Sequence, residues 1–475
     1  MTDPLISSTG QRFIELFDDP AFQLLLKQFS HRCISWEEFL GYTMPPGMSP
    51  LSVWEIMRRM SRHMGIELPI PDLEGGEHWY RRTHELTDVI GIVTRACSPD
   101  SRLHRLMNSA GSQHFLMNVR IPETTAATCL DGISISVQDA NILLRLGKAP
   151  SNATERLVAN TFNSIDHLSD LLSEPFSRDL FTYFRDRLLE GVDVDALATT
   201  PASLGTGLFE WPNERTERFA DRQMDYIAAY ANHESGSEYD HAALRALLLT
   251  DSFRFYRPLK QVSYQVGLLA ADLYALKHNL PVLAMLPVSC AKLDWDRGRL
   301  LPPLVSYDRP TFESLRRRSP GDLTSMQTLA AQLMLVALRI VEHYVDAWEK
   351  WDRELRLMLK KDHQLNDRQR SILGRALRKP RAKFTIRYHK NNHGIAYPTA
   401  RRDFLELADK GYLVFKQEGK AFVFTSSPGL QEMFTDKQTL ERLRSFVVDK
   451  SLLLRLMSGS SDAELPVKET SCHSL

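Results

Sequence analysis

The chain has 475 residues, with 59 basic and 59 acidic side chains, 43% hydrophobic and 25% charged residues. These are ordinary values for a globular protein of two to four domains, and they exclude a fibrous, low-complexity or wholly disordered chain. With no net charge, only the distribution of charge along the sequence can point to a polyanionic partner.

Five cysteines, an odd number with no Cys-x-x-Cys pair, exclude a disulfide framework and a cysteine-rich zinc site, and fit a reducing compartment. The opening MTDPLISSTGQRF lacks a basic segment followed by an apolar one, so no secretory signal is expected. The most apolar run, Gln327–Val341, is about 15 residues and carries Arg339, too short to span a bilayer. The expected location is cytoplasmic, with no membrane contact.

Helical spacing dominates. Apolar residues at i, i+3 and i+4 predict helices over Trp54–Met64, Thr83–Ala96, Ala153–Leu172, Ser177–Leu189, Arg218–Ala231, Ala242–Phe253, Leu323–Leu359 and Asp367–Leu377. Strands are predicted over Phe115–Ile121 and, as two runs around a Glu-Gly-Lys turn, over Leu413–Thr425. The Gly/Pro-rich stretch Thr199–Thr216 reads as a loop or short hairpin over a pocket, and the polar end Ser458–Leu475 as disordered. Breaks fall near Cys97–Gln113, Pro302–Gly321 and Lys360–Asn366.

The C-terminal part has the clearest signal. Between Arg368 and Arg402 there are eleven Lys/Arg and no Asp or Glu. A field of that kind attracts polyanions by counterion release. After a helix at Asp367 come a short helical stretch near Thr385–Lys390 and then YPTARRDFLELADKGYL, with Pro398 in its first turn and Gly411 just past its end. Two strands, Tyr412–Lys416 and Ala421–Thr425, follow. Three helices and a two-stranded wing resemble a winged helix-turn-helix. In that family the third helix enters the major groove. The resemblance makes Lys390, Tyr397, Thr399, Arg401, Arg402, Lys416 and Lys420 the candidate DNA contacts. Winged helices also serve as protein-docking modules, so a protein partner is the alternative.

The string TARRDFLELADKGYL further resembles the C-terminal module of multidomain Fic (Fido) proteins, whose active loop reads His-Pro-Phe-x-Asp/Glu-Gly-Asn-Gly-Arg-x-x-Arg between two buried helices. Upstream, FYRPLKQVSYQVGLL lies between two apolar helical stretches. It keeps Pro258 and a later Gly267, but Arg257 stands for the His, Leu259 for Phe and Gln261 for the acid. Val262 and Tyr264 stand for the glycines, Ser263 for Asn, Gln265 for Arg and Leu268 for the last Arg. The stretch ATCLDGISIS resembles the family's inhibitory helix, with Ala127 for Ser, Asp131 for Glu and Gly132 retained, and Asn160 resembles an Asn that follows it.

In such proteins, the resemblance implies, the His acts as a general base, the acid holds Mg²⁺, and glycines let helix N–H groups reach a phosphate. Arg257 stays protonated, Gln261 is neutral, and Val262 and Tyr264 put side chains where the backbone must approach the ligand, so none of the three requirements is met. The expected fold is mainly α: a Fic-like helical core with a small β flap, plus the winged helix-turn-helix. The segments expected are an N-terminal helical region (1–112), the core (113–310) with a degenerate loop at 257–268, a helical linker (311–362), the winged helix (363–430) and a helix with a tail (431–475).

The expected function is regulation without catalysis or cofactor, with DNA as partner and Arg257 and Lys260 as residual anion contacts. The alternatives are a divergent adenylyltransferase using ATP and Mg²⁺ on a protein hydroxyl, or a docking scaffold. With its usual Arg partner replaced by Leu268, Asp131 is expected to be a structural remnant whose loss changes stability only modestly.

Three other constellations carry less. His78, His84 and Glu85 could suggest a metal, but two His six apart do not share a helix face, and no metal is expected. Cys290 has no adjacent base, and Ser319 in LRRRSPGD reads as part of a solvated linker. The amphipathic stretch Tyr344–Lys361 reads as a bundle helix joining core to winged helix, with a homodimer face as the alternative.

Overall fold

In a computed structural model of the chain, the described residues are 14–71, 76–108, 112–197, 217–234, 241–297, 321–378, 382–418, 421–436 and 439. The readings of Thr199–Thr216 and Ser458–Leu475, Ser319 and Lys420 lie outside them. The protein is mainly helical, with two small antiparallel sheets among the described residues.

The N-terminal region holds α1 (Pro20–His31), α2 (Trp36–Phe39), α3 (Pro50–His63), β1 (Ile66–Leu68), β2 (His78–Tyr80), α4 (His84–Cys97) and α5 (Arg102–Met107). The first three helices bury Phe22, Phe29, Phe39 and Val53 in a small core of their own. Asp19, Ser49 and Thr83 cap α1, α3 and α4 by accepting first-turn N–H groups.

The main core contains α6 (Ser112–Leu130), α7 (Val137–Leu146), α8 (Ala153–Asp166), α9 (Arg178–Leu188), α10 (Glu217–Ala231), α11 (Ala242–Tyr256), α12 (Ser263–Lys277) and α13 (Val288–Asp296). The pair α11/α12 sits at its centre. Both helices are buried nearly all round, the pattern of a helix wrapped by others rather than lying at a surface. They approach closely because Gly267 faces Phe253: a Cβ on Gly267 would lie 2.6 Å from the Phe253 Cβ.

Next comes α14 (Thr324–Lys361), 38 residues long. By length and composition it could cross a membrane, and 72% of its most apolar window is buried inside the protein. Its C-terminal half enters a second core with α15 (Asp367–Arg378), β3 (Phe384–Thr385), α16 (Ile386–His393), α17 (Tyr397–Asp409), β4 (Leu413–Glu418), β5 (Ala421–Ser426) and α18 (Leu430–Phe434). The three strands run in the order β3-β5-β4, with Phe384 opposite Phe424 and Phe415 opposite Phe424 on the other side.

One element differs from expectation. Phe115–Ile121, with its β-branched and aromatic alternation, is helical and lies inside α6. Ile121 packs there with Ala140, Leu143 and Val158. Packing against neighbouring helices overrides a local strand preference, which reflects fit to a half-buried surface more than an intrinsic backbone bias. Helices α1, α2, α5, α7 and α13 lie outside the stretches that apolar spacing predicts as helical. The helix predicted over Ala153–Leu172 ends at Asp166 and continues as a 3₁₀ turn, Leu168–Leu171.

Candidate functional site

The α11–α12 loop is built from two reversals of backbone sign. Arg257 ends α11 at φ +43° and Val262 opens α12 at φ +51°. A β-branched residue in the left-handed region is an outlier that surrounding structure must hold in place. Val262 is 1% exposed, and the Ser263 hydroxyl donates to the Phe253 carbonyl at 3.0 Å, tying the helix start back to α11.

Helix α12 has no cap from its own side chains. Its cap comes from the chain just past α6. The Asp131 carboxylate accepts the Tyr264 N–H at 2.8 Å and the Gln265 N–H at 2.9 Å. Those first-turn groups, with the positive end of the helix dipole, form the place where an anion binds most readily. In this protein a carboxylate of the chain itself occupies it. Burial pushes the Asp131 carboxyl up to about 6, against the opposing pull of the two N–H bonds and of nearby Arg257.

A second carboxylate from α6 does the same for α13. Glu123 accepts the Ser289 N–H at 2.8 Å and the Cys290 N–H at 3.1 Å. One helix and the turn after it thus close the N-termini of two core helices. Around them Lys292 pairs with buried Asp251 at 2.5 Å, Arg254 pairs with Asp296, and the Tyr264 and Ser289 hydroxyls lie 3.0 Å apart, while the buried Thr124 hydroxyl and the Gln265 side-chain oxygen have no hydrogen-bond partner among the described residues. Gln265, wholly buried, donates to Thr128 at 2.9 Å and Thr161 at 3.1 Å. Asn160 donates to the carbonyls of Leu188 and Glu190, holding the end of α9.

Of the two residual anion contacts expected in this loop, Arg257 is half-buried and interacts electrostatically with Asp131, while Lys260 is exposed. Among the described residues no group of three His, Cys, Asp or Glu is placed to hold a metal. His78 is buried, its Nδ1 3.0 Å from the Ile70 carbonyl and 2.8 Å from the Tyr256 hydroxyl, and Gln332 donates to Glu85. Cys33, Cys97, Cys129 and Cys290 are free thiols, and burial holds the Cys290 thiol well above its ordinary range.

The C-terminal unit presents a different surface. Its centre is Asp403 on α17, 1% exposed. Arg368 of α15 donates to it twice, at 2.8 and 3.0 Å, Asn366 once at 3.0 Å, and His389 of α16 lies 3.1 Å away. Burial alone would raise this carboxyl, yet these donors hold it below its ordinary value. Three helices are thereby pinned by one side chain. Lys390, Arg401, Arg402 and Lys416 are exposed, Tyr397 is 48% exposed, and Thr399 is half-buried.

Part of the positive charge counted along the sequence is neutralised in space. Arg368, Arg370, Arg378 and Arg402 reach Asp403, Asp367, Asp352 and Glu406. Arg375 lies over the rings of Phe384 and Tyr388, at 5.8 and 5.3 Å. Arg387, three residues before Lys390 on the same helix, is exposed as well. Its position inside the basic run was the available signal.

No protein-family model and no curated protein matches the chain. Among solved structures it is similar to a Fic family protein from Desulfovibrio desulfuricans G20, at 14% identity and a TM-score of 0.43, over 73% of this chain and 97% of that one.

Proposed function

We propose that this is a non-catalytic regulatory protein with a Fic-type core, acting as a DNA-binding protein through a C-terminal winged helix. The observation that carries the reading is the cationic start of α17. Arg401 and Arg402 stand exposed in its first turns, one turn on from exposed Tyr397, and the preceding helix exposes Arg387 and Lys390. The order helix, short strand, helix, helix, hairpin supports the winged-helix assignment. In such modules the helix before the hairpin lies in the major groove, and arginine at its start reaches base edges or phosphates.

The case against catalysis rests on the loop. Arg257 offers no base at neutral pH, Gln261 offers no carboxylate for Mg²⁺, and Asp131 fills the helix N-terminus where a phosphate would sit. The left-handed Val262 keeps a backbone path that suits glycine, which supports descent from a glycine-bearing loop.

The test is fluorescence anisotropy of the full chain on random and genomic duplexes. With about three to four phosphate contacts, log affinity should fall against log salt with a slope of roughly −3. That is shallower than the eleven charges of the run would give, because Arg368, Arg370 and Arg378 are paired with carboxylates of the fold. Arg401→Ala should weaken binding and, where it reads a base, relax sequence preference by about 1–3 kcal/mol. Absence of binding at about 50 mM salt, where a non-specific electrostatic interaction is strong, would assign the unit to protein docking instead.

A further inference from the structure

We infer that α14 makes the main core and the C-terminal unit one mechanical body, with no hinge between them. At 1.5 Å per residue its 38 residues extend for roughly 57 Å. Its first part buries Leu333, Met334, Leu338, Val341 and Val345 in the main core. Trp348 already packs against the second core, and Trp351, Leu355 and Leu359 are buried in it. Only Asp346 and Ala347 separate the two sets of contacts, less than one turn.

Sharp bends in helices come from proline, Gly/Ser pairs, π-bulges or inserted polar groups. The stretch Val345-Asp-Ala-Trp-Glu-Lys350 contains no proline, glycine or serine.

The helix is also fastened along its length. At its start the Trp79 N–H donates to Gly321, Leu323 donates back to Trp79, both at 2.8 Å, and the Arg81 N–H donates to the Thr324 hydroxyl at 3.0 Å. At the junction Arg102 of α5 reaches Asp346 at 2.6 Å and Glu349 at 2.5 Å. Beyond it, Asp352, 5% exposed, accepts from Arg378 of α15 at 2.5 Å and from Arg356 at 2.8 Å. Trp351 donates to Thr435 at 2.9 Å. A module on a flexible tether has none of these; this one is built around the helix that leaves the core. Its exposed face therefore keeps one bearing relative to the core, whichever macromolecule it engages.

The experiment is double electron–electron resonance on the full chain, in a Cys290→Ser/Cys472→Ser background. One label sits on α9 (Tyr183→Cys) and one on α17 (Asp409→Cys). The control pair lies within the main core (Tyr183→Cys with Val137→Cys). The expected result is one distance peak between core and C-terminal unit, no wider than the control. Inserting Gly-Ser-Gly-Ser between Ala347 and Trp348 should broaden it severalfold. A broad or two-peaked distribution in the chain without the insertion would overturn the inference. So would an insertion that leaves the width unchanged, since contacts other than the helix would then hold the two parts together.

Discussion

Asp131 and Gln265 meet across the core, the carboxylate of one accepting the backbone N–H of the other at 2.9 Å. With the parallel bond from Tyr264, the contact closes the first turn of α12. The sequence led to the expectation that losing Asp131 would matter little. The geometry argues for more: Asp131→Ala leaves two first-turn N–H groups without their acceptor and should cost about 1–2 kcal/mol. Asp131→Asn, which keeps one acceptor oxygen, should lose less. Chemical denaturation at constant slope would measure both, and an Ala variant as stable as the unaltered chain would show the cap to be idle.

The same residue predicts a pH dependence. Its carboxyl lies at about 6 in the folded chain, because of burial, against an ordinary value of 3.8. A group raised on folding stabilises fully below its unfolded value and loses that contribution as pH rises through the folded one. Relative to Asp131→Asn, the unaltered chain should therefore lose stability between about pH 4 and 6 and stay level above that. Parallel thermal melts across that range would reveal it; a relative stability that rises with pH has the wrong sign.

At Gly267 the limit is space. A methyl group there would press on Phe253, whose Cβ would be 2.6 Å away on the facing helix. Gly267→Ala should cost about 1–3 kcal/mol as the two central helices are forced apart, even though alanine is the better helix former. A stabilised variant would mean that α11 and α12 are packed more loosely than described.

Asp403 should behave as the keystone of the C-terminal unit. Asp403→Ala strands Arg368 and His389 and should destabilise the unit by about 3 kcal/mol, the cost typical of breaking a buried ion pair. Since the carboxyl is held below its ordinary value, its contribution is present above about pH 4 and is lost as the solution becomes more acidic. Calorimetry of the full chain should show the loss. Equal melting of variant and parent at neutral pH would reduce Asp403 to a bystander.

Incubation with labelled ATP, Mg²⁺ and candidate protein targets should transfer no label. Absence of a general base alone slows such a step by about 10²–10⁴-fold. Labelling that disappears in Arg257→Ala or Gln261→Ala would return the chain to the transferases.

Much of this protein could be read before any fold was known, because the information was local. The helices over Ala242–Phe253, Leu323–Leu359 and Asp367–Leu377 followed from apolar spacing, and the hairpin from Leu413 to Thr425 from two short runs around a turn. Those features depend on residues a few positions apart. The replacements at Arg257, Gln261 and Val262 were equally plain, since each is a matter of side-chain identity. What the linear order could not hold was contact between distant residues. Asp131 finds Tyr264 and Gln265 across 133 and 134 positions, and Glu123 finds Ser289 across 166. Phe115–Ile121 became helix because α6 packs among other helices, whatever its local preference. The run from Arg368 to Arg402 contains no acid, yet Asp352, Asp367, Asp403 and Glu406 reach it from outside. Coulomb's law acts on distance in space, so the strength of that cationic face was decided only when the chain folded.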